Sequence, residues 1–77
     1  MTEQKPHFLE RIATDPQILD GKPTITGTRV PVSLILNLLG HGVTFPEIVE
    51  DYPELTDDDI KAALLYAEAR IKGDDLD

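Results

Sequence analysis

The chain has 77 residues, of which about 40% are apolar and 29% charged, with a formal net charge of −8. That is enough for one compact domain and too little for two. Without cysteine, disulfide frameworks, thiolate nucleophiles and cysteine-rich zinc sites are excluded. No apolar run approaches the ~20 residues that a bilayer span needs. Residues 1–7 carry a lone lysine with no apolar block behind it, unlike a secretory signal. The expectation is a cytoplasmic protein that makes no membrane contact.

Charge is unevenly placed. Residues 1–30 balance Lys5, Arg11, Lys22 and Arg29 against Glu3, Glu10, Asp15 and Asp20; residues 31–77 set three basic groups against eleven acidic ones. An anionic C-terminal part repels nucleic acid and membranes and attracts basic partners. A solvated acidic face that keeps a small protein soluble accounts for the same charge.

The first third is punctuated rather than periodic. Asp15-Pro16, Asp20-Gly21, Lys22-Pro23 and Thr26-Gly27 are turn or breaker pairs. Between them, residues 8–13, 23–26 and 28–32 read as brief strands or extended arms. Such strands are marginal alone, so they must pack on helices or complete a sheet across a two-fold axis, which predicts a homodimer.

Three helices follow. Val32, Leu34, Ile35, Leu36, Leu38 and Leu39 make a helix that is apolar nearly all round, with Pro31 suited to its first turn. Gly40 and Gly42 stop it. Thr44 and Glu47 then form a capping box, with Val43 and Ile48 placed as the hydrophobic staple. This second helix is short, because Pro53 disfavours helical geometry at Tyr52. The start signal recurs with Thr56 and Asp59, and Asp57, Asp58 and Asp59 favour the positive end of the helix dipole. Ile60, Ala63, Leu64, Ala67 and Ile71 recur at helical spacing and predict a buried stripe. Lys72 and Gly73 are the expected stop. The predicted fold is therefore mainly α: a three-helix, helix-turn-helix-like domain over residues 10–73, preceded by short β-strands or extended arms. Residues 1–9 are expected as a flexible tail and 74–77 as a fraying acidic tail.

Candidate chemistry is sparse. Gly21-Lys22 matches the end of a phosphate loop, but Pro16 and Pro23 occupy the positions of its first glycine and its hydroxyl. Ser33 has no histidine near it in sequence. His7 and His41 lack a second histidine at helical spacing, and the aspartate run lacks the spacing and glycine of a calcium loop. No catalytic residue, metal site or cofactor is expected, and the protein is not expected to be an enzyme. Arg29, in a turn-bounded strand leading into the apolar helix, suits either an internal ion pair or the grip of a phosphate or a partner's carboxylate. Lys22 is expected to be exposed.

Arg11-Ile12, Asp15-Pro16 and the run from Gly21 to Val32, G-K-P-T-I-T-G-T-R-V-P-V, resemble the opening signature of the bacterial domain-of-unknown-function 433 family. The resemblance continues through Gly42-Val43, Glu47-Ile48, Tyr52-Pro53-Glu54-Leu55-Thr56, Asp59-Ile60, Ala62-Ala63-Leu64 and Tyr66-Ala67. It implies a trihelical domain with short β-elements and, through frequent encoding beside a PIN-like ribonuclease, a VapB-type antitoxin. No catalytic residues come with it; the matching positions suited to binding are Lys22, Thr28 and Arg29. Charge adds an acidic docking face formed by Glu47, Glu50, Asp51, Glu54, Asp57, Asp58 and Asp59, directed at a basic protein partner such as a PIN-like toxin. The alternative is a DNA-binding regulator in which a dimer presents Lys5, Arg11, Lys22 and Arg29.

Overall fold

The computed structural model describes residues 10–76, with side chains through residue 73, so His7, Lys5 and the expected N-terminal tail lie outside the described residues. Two short strands, β1 (Ile12–Ala13) and β2 (Thr24–Ile25), precede three helices: α1 (Val32–Gly40), α2 (Phe45–Asp51) and α3 (Asp57–Leu76). The predicted mainly helical architecture with N-terminal β-elements is the one observed.

The strands find their partners within the chain. β1 and β2 pair antiparallel, with Ile12 opposite Ile25 and Ala13 opposite Thr24. Between them the backbone passes through a left-handed turn, with positive φ at Leu19, Asp20 and Gly21. Thr26 extends the pairing: its N–H donates to the Arg11 carbonyl at 2.8 Å and its hydroxyl to the Glu10 carbonyl at 3.1 Å. The expected strand over 28–32 reduces to one bridge between Thr24 and Pro31, because proline has no N–H for a ladder and Val32 already begins α1. Pro31 thus stands at the N-cap of α1 rather than in its first turn. The Pro23 carbonyl takes the orphan N–H of Val32 at 2.9 Å, a backbone substitute for a capping side chain.

Helix ends follow their local chemistry. At the end of α1, Gly42 adopts φ 89°; its N–H bonds to the Leu39 carbonyl and that of Val43 to the Leu38 carbonyl. This is a Schellman motif, and it needs a residue at ease in the left-handed region. Thr44 and Glu47 form the reciprocal capping box of α2. At α3 the Thr56 N–H donates to Asp59 Oδ2 at 3.0 Å and the Asp59 N–H to the Thr56 hydroxyl at 3.2 Å, so aspartate serves where the box usually has glutamate.

The core gathers Ile25, Val30, Val32, Ile35, Ile48, Leu55, Ile60 and Ala63, one or two from each element after β1. Ile35, Ile48 and Ile60 are fully buried. The staple residue Val43 packs on this cluster with its partner Ile48, and Leu55, which precedes the Thr56 cap in the same way, lies within it beside Ile60. The predicted stripe on α3 is only half realised. Ile60 and Ala63 are buried, but Leu64 is 41% and Ile71 62% exposed. The helix also runs through Gly73 to Leu76, past the expected stop; Gly73 lacks the positive φ of a C-cap. Spanning ~30 Å, α3 outruns the two shorter helices, so its later turns have little to pack against.

Candidate interaction surfaces

The acidic residues divide by burial. Glu47, Glu50 and Asp51 on α2, Glu54 in the turn, and Asp57 and Asp58 at the start of α3 are all exposed. No lysine or arginine occurs between residues 47 and 58, so any cation that meets this ledge comes from elsewhere in the chain, as Arg11 does 3.7 Å from Asp58. The Glu47 carboxylate accepts the Thr44 N–H at 2.9 Å and its hydroxyl at 3.1 Å. The backbone hydrogen bond, then the hydroxyl, hold its pKa below the ordinary carboxylate value.

Asp59 does not belong to the ledge. Its side chain is 10% exposed and its Oδ1 accepts from Arg11 Nη1 at 3.0 Å, while Arg11 Nη2 lies 3.7 Å from Asp58. Arg11 thereby ties the strand end to the first turn of α3. The internal ion pair considered for Arg29 is made by Arg11 instead, a residue expected on the DNA-facing surface of a dimer. The missed signal was the third position of a capping box: its backbone hydrogen bonds carry Asp59 inward, and a buried carboxylate calls for a cation.

The cationic candidates are separated. Arg29 is exposed and, among the described residues, has no carboxylate within ion-pair distance. It lines a groove of about 630 Å³ with Thr28, Asp15 and Glu54, which sets it beside the acidic ledge. Thr28 is committed to the turn: its hydroxyl donates to the Ile25 carbonyl at 2.9 Å and accepts the Val30 N–H at 3.0 Å. Lys22 is exposed, as expected, but lines a different groove of about 410 Å³ between α1 and the later turns of α3, together with Val32, Leu36, Tyr66, Arg70 and Ile71. Arg70 stands over the Tyr66 ring at 6.0 Å. Neither Arg70 nor this groove was anticipated, although Tyr66 and Arg70 are spaced to meet on one helix face.

Among the described residues, no three histidine, cysteine or acidic side chains gather where a metal could sit, and no helix is long and apolar enough to cross a membrane. Fold and surface together define a small trihelical module with an N-terminal β-pair and two unlike grooved faces. The chain belongs to the DUF433 family, proteins of unknown function, whose model matches residues 12–67. It is 37% identical over 60 residues to the uncharacterized protein y4eO of Sinorhizobium fredii, a match covering 78% of this chain and 27% of that protein. The chain therefore spans about a quarter of that relative's length. The crystal structure of a DUF433 member from Anabaena variabilis is similar with a TM-score of 0.75 and 30% identity, covering 90% of this chain and 69% of that one.

Proposed function

We propose that this protein is the antitoxin of a type II toxin–antitoxin pair, and that it neutralises a small PIN-like ribonuclease through the acidic ledge of α2 and the start of α3. The observation that carries the reading is the set of six exposed carboxylates, Glu47, Glu50, Asp51, Glu54, Asp57 and Asp58, of which only Asp58 lies within ion-pair distance of a cation among the described residues. A ribonuclease must hold a polyanion, so its substrate groove is cationic, and a rigid anionic surface competes for it with fast, salt-sensitive association. Arg29, at the border of the ledge, is positioned to reach carboxylates beside such a groove.

Co-expression with a PIN-like ribonuclease encoded beside it tests the reading. The pair should co-purify at low salt and growth arrest should be relieved. Reversing Glu50, Asp51, Asp57 and Asp58 to lysine together should abolish both effects while the isolated fold survives. Absence of a complex at low salt would reject the proposal.

The short α2–α3 turn at residues 52–56 favours operator DNA as a second reading. However, Asp57 and Asp58 stand exposed where a groove-reading helix meets phosphates, and Arg11 is engaged with Asp59 and Asp58. A mobility shift on upstream DNA at low salt, abolished when Lys22 and Arg29 are neutralised, would favour this reading over the first.

A further inference from the structure

The first helix is apolar on nearly every side, yet only Val32 and Ile35 are buried along it. Leu36 is half-covered and opens onto the groove shared with Tyr66, Ala67, Arg70 and Ile71 of α3. On the groove's far wall Ile71 is 62% exposed, and Leu64 lies 41% exposed two turns earlier on α3. The strands already pair within the chain, so sheet completion supplies no reason for two copies to meet. Uncovered apolar surface between α1 and α3 does.

We propose that this groove is a self-association surface, filled by the C-terminal turns of α3 from a second copy of the chain. The occupant's chemistry matches the groove on two counts. Ile71 supplies an exposed branched apolar side chain to an apolar floor. Lys22 and Arg70 place two cations at the groove in a chain of net charge −8, and the helix end offered by the second copy carries Asp74 and Asp75 in its sequence. The pairing is reciprocal: Arg70 and Ile71 line the groove and also belong to the helix end that fills it, so the same patch serves both copies and the contact can close about a two-fold axis. The acidic ledge lies on α2 and the opposite end of α3 and takes no part in the contact.

Sedimentation of the isolated protein from about 10 to about 500 µM, where mass action shifts the equilibrium, gives the direct test, with circular dichroism confirming the fold of each variant. The wild type should move from monomer to dimer mass. Ile71→Asp should weaken association by about a hundredfold or more, because symmetry counts the lost side chain twice. Arg70→Asp should also weaken it, and adding Asp74→Arg with Asp75→Arg should restore part of the loss. Leu65→Asp, on an exposed position outside the groove, should leave the dimer unchanged. Monomer mass at every concentration, or a dimer indifferent to Ile71→Asp, would overturn the proposal. Since no toxin enters the experiment, its failure would leave the antitoxin reading intact.

Discussion

Replacing Arg11 by methionine keeps most of the aliphatic stem and removes the charge that neutralises Asp59. The pair joins a strand end to a helix 48 residues later, at 3.0 Å. Removing one partner of a fully buried ion pair costs about 3–5 kcal/mol, whereas exposed pairs contribute about 0–1 kcal/mol. Here the carboxylate is 10% exposed and the guanidinium 43%, and Asp59 keeps one backbone donor at Thr56. The expected cost therefore falls between those limits, at about 1.5 kcal/mol. A domain of this length has a total stability of about 4–11 kcal/mol, so Tm should fall by roughly 6–12 °C. Lys61→Met changes net charge equally from an exposed site on α3 and controls for general repulsion. A double-mutant cycle with Asp59→Asn, followed by thermal and urea unfolding, should return a coupling of about 1 kcal/mol. If Arg11→Met melts within about 1 °C of Lys61→Met, the tether contributes nothing and the reasoning is wrong.

Two glycines should respond in opposite directions. Nothing lies within 4 Å of a Cβ built at Gly42 or Gly73, so backbone geometry alone decides. Gly73→Ala should stabilise by about 0.5–1 kcal/mol, because the position is helical, whereas Gly42→Ala should destabilise by about 1 kcal/mol or more at φ 89°; denaturant midpoints give both signs. Glu47 should contribute to acid sensitivity: its lowered folded pKa means that the unfolded chain takes up the proton first as pH falls. That stabilisation is full above the ordinary carboxylate value and is lost as pH drops through the lower folded one. Glu47→Gln should therefore lower Tm at neutral pH but not at acidic pH, and equal losses at both would disprove the assignment.

Much of the fold is written locally. Thr44-x-x-Glu47 and Thr56-x-x-Asp59 set two helix starts, Gly42 sets a helix end, and Pro53 keeps α2 short. These features depend on groups within a few residues of each other, so the linear order suffices to read them. The exposure of Glu47, Glu50, Asp51, Glu54, Asp57 and Asp58 is legible because carboxylates ordinarily stay in water, whereas Asp59, expected on the same face, is buried beside Arg11.

Other features depend on what lies opposite each helix. Helical spacing marks Ile71 as apolar but says nothing about neighbours, and α3 extends beyond the elements that could cover it, leaving a groove where a buried stripe is expected. The choice of Arg11 over Arg29 as the internal cation is likewise tertiary: β1 runs beside β2 and against α3, which brings residue 11 to residue 59. Lys22 and Arg29, close in sequence, part onto separate faces because the hairpin between them turns at Gly27. Short-range hydrogen bonding thus determined where α2 and α3 begin and where α1 ends. Which side chains meet was decided by tertiary packing, and the mismatch between one long helix and two short ones left the later turns of α3 open to a partner.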